Sequence, residues 1–221
     1  MTKTVLPEAK NWNAYWALDE TERFTKISWS KRRIRAVLAP YVKIKGKALD
    51  AGCGSGFFAK YFCDEGMTTT ALDYSEAALR LTERATGGRC RILKEDLCRV
   101  ALGREIDDRF DIIFSDGLLE HFPTHDQDRI LDNLVSLLSD CGVIVTFVPN
   151  RYSPWEWIRP FYMPGIEETP FVLSELSALH ERHGLKILAK GGVNTFPFAF
   201  SPDRVSGGFL GMLLYTVAAK K

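Results

Sequence analysis

The segment Asp50-Ala51-Gly52-Cys53-Gly54-Ser55-Gly56 places three alternating glycines and an acid directly after a short apolar run. Glycines at that spacing permit a tight turn and let a ligand lie against bare backbone. A plain tight turn is the other use of such a sequence. Two further acids sharpen the choice. Asp73 closes the next apolar run and Asp96 the one after it. A carboxylate in the place of Asp73 can accept hydrogen bonds from both hydroxyls of a ribose, and one in the place of Asp96 from an exocyclic amine. The dinucleotide fingerprint requires GxGxxG, but read from Gly52 the sixth residue is Phe57, so the loop fits a pyrophosphate poorly.

His121, in Glu120-His121, follows the apolar run 110–115. An imidazole titrates near neutral pH, as a general base should. It could equally anchor the loop before Pro123. His180 and His183 lie three apart with no third ligand at zinc-like spacing, so they are expected at the surface. His125 opens a helix and has no stronger case. The tryptophans fall outside the apolar runs: Trp12, Trp16 and Trp29 precede them, and Trp155 and Trp157 sit in the proline-rich stretch 150–171. That stretch is too long and too aromatic for an ordinary connection. It reads as a stiff, irregular flap, because Pro154, Pro160 and Pro164 disfavour a regular helix.

These residues need elements to position them. Residues 8–40 read as helical, with Ile34, Val37, Leu38 and Tyr41 on one face and Ser30 as an N-cap. Strands are expected at 47–50, 67–73, 90–96, 110–115, 142–148, 185–190 and 209–217, and helices at 57–65, 75–84, 126–139 and 174–183. FDIIFS and GVIVTFV are continuous apolar runs, as in strands buried on both faces. Alternating strands and helices imply a parallel sheet with right-handed crossovers and helices on both faces, so the glycines and acids converge at the carboxyl ends of the strands.

The 221 residues, with 46% hydrophobic and 26% charged, give an ordinary globular composition and exclude a disordered, collagen-like or disulfide-scaffold chain. The five cysteines, Cys53, Cys63, Cys90, Cys98 and Cys141, include no CxxC pair, which argues against a zinc cluster and for a reducing compartment. No signal-peptide core opens the chain, and the longest apolar stretch, 209–219, is too short to span a membrane. A cytoplasmic protein is expected. A net charge of +1 selects no polyanionic partner. Nine basic residues and no acid lie between Arg23 and Lys47. They read as the solvated face of a helix, with nucleic-acid or membrane-surface binding as the alternative.

ALDAGCGSG (48–56), TALDYS (70–75), KEDL (94–97), FDIIFSDGLLEHFP (110–123) and LLSDCGVIVTFVPN (137–150) together resemble the class I, Rossmann-like S-adenosylmethionine-dependent methyltransferases. The resemblance implies a seven-stranded, mostly parallel sheet of order 3-2-1-4-5-7-6 with the last strand antiparallel. It implies an N-terminal helical cap over 1–45, a methyltransferase domain over 46–221, and the insert at 150–171. Asp50, Gly52, Cys53, Gly54 and Gly56 would surround the methionine part of S-adenosyl-L-methionine. Asp73 would take the ribose, with Tyr74 beside the adenine. Asp96 would accept from the adenine amine and the Leu97 amide would face the ring. Ser115 and Asp116 would line the methyl end. Some similar quinone-pathway O-methyltransferases carry an acid three residues before the Glu-His pair as part of a metal site. Here that position is Gly117, so no metal is carried over.

Methyl transfer to a small, apolar or aromatic acceptor is therefore expected, yielding S-adenosyl-L-homocysteine. Tyr15, Trp16, His121, Trp155, Trp157 and Tyr162 are candidates for the acceptor side, with His121 as the candidate base. The alternatives are an RNA or protein methyltransferase using the basic 23–47 stretch, or a non-catalytic binder of the same cofactor.

Overall fold

The computed structural model describes residues 12–100, 102–162 and 168–221, without the side chains of 103, 104 and 160–162. A seven-stranded sheet of order β3-β2-β1-β4-β5-β7-β6 runs through the molecule. Its strands are β1 (Lys47–Ala51), β2 (Thr68–Asp73), β3 (Arg91–Lys94), β4 (Phe110–Asp116), β5 (Leu138–Pro149), β6 (Leu185–Val193) and β7 (Leu213–Lys220). The pairs from β3 to β5 are parallel, and β7 runs antiparallel between β5 and β6. The side-chain alternation of β4 splits the core. Ile112 and Phe114 face one side with Ile34, Leu38 and Phe62, while Ile113 faces the other with Ile130, Leu134 and Leu176.

The helices are α1 (Trp12–Trp16), α2 (Trp29–Leu38), α3 (Phe57–Asp64), α4 (Glu76–Thr86), α5 (Leu102–Glu105), α6 (Thr124–Leu137), α7 (Trp155–Tyr162), α8 (Leu173–Arg182) and α9 (Asp203–Leu210). Four expectations change. The first is the expected single N-terminal helix. Over its described part it is α1, a 3-10 turn at Asp19–Thr25 and α2, and Ser28, not Ser30, caps α2 by accepting from the Lys31 amide. The second is the flap, which is helical over Trp155–Tyr162 despite Pro160. One proline removes a single N–H, and a short helix accommodates that locally.

The third is the last strand, which begins at Leu213 because the preceding residues form α9. A helix carrying Gly207-Gly208 reads as a poor helix former. The glycine pays off in tertiary contact: a Cβ on Gly207 would lie 2.1 Å from the Gly192 carbonyl oxygen, so only a bare backbone lets α9 pack on β6. The fourth concerns His180, which is not a surface residue. His180 is fully buried between α8 and β5, with Nε2 3.1 Å from Thr146 Oγ1 and Nδ1 2.9 Å from the Leu176 carbonyl. His183 packs its ring between Asp128 and Asp132.

Candidate active site

The loop after β1 is held by the acids that the sequence singles out. Asp50 Oδ2 accepts from the Ala59 amide at 2.8 Å, tying the loop to the first turn of α3. Asp73 accepts from the Gly54 amide at 3.1 Å and the Ser75 amide at 2.9 Å, so it staples the glycine loop to the start of α4. Gly56 has a φ of +72°, and a Cβ there would meet Thr82 Cα at 2.5 Å. Gly54 has a φ of +48°, and a Cβ there would meet the Trp16 ring at 2.5 Å. This is a cradle of bare backbone under an aromatic cover.

A cavity of about 360 Å³ opens above this loop, with a smaller lobe of about 100 Å³ beside it. Trp12, Trp16, Gly52, Asp116, Gly117 and His121 line both lobes. The small lobe adds Asp73, Tyr74, Asp96 and Leu97, which are the expected ribose and adenine positions. The Trp12 amide donates to the Tyr74 hydroxyl at 3.3 Å, closing α1 over that lobe. Asn133 of α6 donates to the Leu97 and Arg99 carbonyls at 2.9 and 3.0 Å and so fixes the strand-end loop. The large lobe adds Asp50, Cys53, Gly54, Tyr15, Phe24, Lys31, Phe58, Phe114, Trp155, Glu120 and Glu168.

Burial pushes the carboxyls around the glycine loop upward. Asp50 rises to about 8, with Asp116 and Asp73 adding to the effect against the Ala59 amide. Asp116 rises to about 6, opposed by Lys31. Asp73 is also raised by burial. Desolvation lowers Lys31 to about 8. Three desolvated acids therefore crowd one end of the cavity and favour a cationic ligand there.

A second cluster bounds the large lobe. Burial raises Glu120 well above the usual range, helped by Glu168, and raises Glu168 to about 7 despite Arg159 at 3.4 Å. Glu120 Oε2 has no hydrogen-bond partner among the described residues. His121 Nε2 lies 3.9 Å from Glu120 Oε1, and its ring meets Trp12 edge-on at 4.6 Å. The ligating atoms of Glu120, His121 and Glu168 all lie within 4.8 Å of one another. Two carboxylates and an imidazole could hold a divalent cation. The third donor comes from the insert and not from position 117.

Several candidates fall elsewhere. Ser115 is buried but lines neither lobe, because alternation along β4 turns it to the opposite face from Asp116. Gly56 shapes the loop without lining the cavity. Trp157 is 83% exposed on α7 while Trp155 faces inward, since two residues on a helix point apart. The Tyr162 side chain lies outside the described residues. Lys31 departs from a solvated helix face, because its Nζ turns inward to the Phe24 and Lys26 carbonyls. Sequence reasoning missed Phe24, Lys31 and Glu168 as cavity residues. Each belongs to a segment whose path only tertiary packing defines.

Residues 48–142 match a family model described as a methyltransferase domain. Ubiquinone biosynthesis O-methyltransferase of Pseudomonas fluorescens (strain Pf0-1) is 30% identical over 128 residues, 57% of this chain and 51% of that one. The protein of the same description from Azotobacter vinelandii is 33% identical over 115 residues, 50% and 48% respectively. The chain thus spans about half the length of the curated relatives it matches. N-methyltransferase NodS of Bradyrhizobium japonicum WM9, solved with S-adenosyl-L-homocysteine, superposes with a TM-score of 0.69 at 15% identity over 96% of this chain and 97% of that one. Magnesium protoporphyrin IX methyltransferase of Synechocystis PCC 6803 gives 0.66 at 14%, covering 91% and 94%. The fold is that of the class I methyltransferases.

Proposed function

We propose that the chain is an S-adenosylmethionine-dependent methyltransferase whose acceptor is a small aromatic or apolar molecule bearing a hydroxyl. One observation carries the reading: a bare glycine cradle crowded by desolvated carboxyls opens directly into a lobe walled by aromatic rings and ended by His121. Asp73, Tyr74, Asp96 and Leu97 hold the nucleoside, and Asp50, Gly52, Cys53 and Gly54 the amino-acid part. S-adenosyl-L-methionine supplies an electrophilic methyl on a positively charged sulfur. Asp50 and Asp116 complement that charge. Tyr15, Trp16 and Trp155 orient the acceptor and exclude water, which matters because in-line transfer depends mainly on alignment. His121 Nε2 takes the hydroxyl proton, with the Glu120 carboxyl 3.9 Å away.

The oxygen acceptor follows the curated relatives, which carry an O-methyltransferase name. The basic stretch supports a polyanionic acceptor poorly. Arg33 pairs with Asp203, Arg35 with Glu65, Lys43 with Asp111 and Lys47 with Asp108, while Lys31 turns inward.

Calorimetry tests the cofactor. Asp116 near 6 and Asp50 near 8 must lose protons to meet a cation. S-adenosyl-L-methionine affinity should therefore rise from pH 6 to pH 8, with proton release on binding. NAD binding without S-adenosyl-L-methionine binding would overturn the reading. Cofactor binding without turnover on a panel of phenols and catechols would leave a binding protein.

A further inference from the structure

Most of the exposed large apolar side chains lie at one end of the molecule. The carboxyl ends of β5 and β6 meet the start of β7, where Leu213 pairs with both Pro149 and Val193. The segment 194–212 and the insert both leave from that point. The segment carries Phe198 and Phe200 in its loop and Val205 and Phe209 on α9; Phe200 is 76% and Val205 92% exposed. The insert adds Trp157, and α2 adds Trp29.

These pieces form one surface. The Phe209 ring packs on Tyr152 at 5.3 Å, and the Asn150 side chain donates to the Phe209 carbonyl at 2.9 Å. Arg33 of α2 donates to Asn194 Oδ1 at 2.7 Å and to the Phe198 carbonyl, and Asn194 donates to Ser30 at 2.8 Å. Ser28, Ser30, Lys31, Trp155, Met212 and Leu213 line the large lobe of the cavity from the same end. The exposed apolar side chains thus sit on the same segments that line this end of the cavity.

The charge on this rim is one-sided. Lys26, Arg32 and Arg204 are exposed and make no ion pair among the described residues. Among the described residues of the rim, Asp203 pairs with Arg33 at 3.1 Å and Glu156 with Arg159 at 3.2 Å. In the 19–25 turn, Glu22 is directed to Arg84 on α4. Isolated exposed apolar residues need no explanation, but a cluster of aromatic rings edged by free cations does. We infer that this end of the molecule docks on the surface of an anionic phospholipid bilayer, with the phenylalanines and tryptophans entering the headgroup region and the free cations meeting lipid phosphates. The inference does not depend on methyl transfer. If the proposed activity also holds, the cavity mouth faces the bilayer and takes its acceptor from there.

Flotation with vesicles tests it. The unaltered chain should float with phosphatidylglycerol-containing vesicles and far less with pure phosphatidylcholine, and high salt should weaken the binding. The exposed pair Phe198→Ser with Phe200→Ser should weaken binding at least tenfold, and Arg32→Glu with Arg204→Glu should do the same, with S-adenosyl-L-methionine affinity unchanged in both. Where a variant fails to fold, tryptophan quenching by brominated lipid in the unaltered chain reads insertion directly. No flotation and no quenching, or flotation of both paired variants equal to that of the unaltered chain, overturns the inference. So does a dimer in sedimentation that the phenylalanine pair dissociates, since a second copy then covers this face. Failure here leaves the cofactor calorimetry untouched, and failure of that calorimetry leaves flotation untouched.

Discussion

Asp73 does two things with one carboxylate. It accepts two backbone amides that shape the glycine loop, and it lines the small lobe that we propose for the ribose. Asp73→Ala should weaken cofactor binding by about 1.5–3 kcal/mol, since charge-assisted bonds to a neutral ribose are lost. Calorimetry on a variant with native circular dichroism checks this, and unchanged affinity removes the ribose assignment. His121 sits where both lobes meet, beside a buried glutamate. His121→Ala should lower turnover roughly 100-fold on a hydroxyl acceptor while cofactor affinity stays nearly constant. Wild-type turnover would reduce His121 to a packing partner of Trp12.

At the scale of elements, α1 and α7 cover the cavity unequally. Trp16 of α1 lies on Gly54, and Trp12 and Trp16 reach both lobes, so the N-terminal aromatics border the whole cavity. On α7 the helix decides between two tryptophans that the sequence treats alike. Trp155→Ala should raise the KM for the acceptor about tenfold with cofactor affinity nearly unchanged, because it removes an aromatic wall. Trp157→Ala should leave KM unaltered, because its side chain faces outward. Steady-state kinetics on both variants, with Tyr15→Ala as a second inward-facing residue, separates the outcomes.

For the whole molecule, the buried His180 links α8 to the sheet. A carbonyl only accepts, so Nδ1 carries the proton toward Leu176, and Nε2 accepts from the Thr146 hydroxyl. Burial lowers its pKa from 6.5 to about 4. The unfolded chain takes up the proton first as pH falls, so the stability His180 contributes is complete above about pH 6.5 and drains away toward pH 4. Urea unfolding of the wild type and of His180→Gln should show a stability difference that shrinks across that window. A pH-independent difference would mean the ring contributes packing alone.

The sequence by itself determined the sheet and the strand-end glycines and acids that gather around the cavity. Continuous apolar runs mark strands buried on both faces, and glycines or acids at their ends mark the crevice, because both signals are local. The helix expected at 75–84 was legible for the same reason, with Ser75 capping α4 and Gly87 closing it. Only the tertiary structure decided the rest. It made α9 a helix through the Gly207–Gly192 approach, buried His180, turned Lys31 inward, and brought Glu168 of the insert to Glu120 and His121. Each outcome depends on a partner distant along the chain, and neither the periodicity nor the composition of a segment encodes which distant surface it will meet.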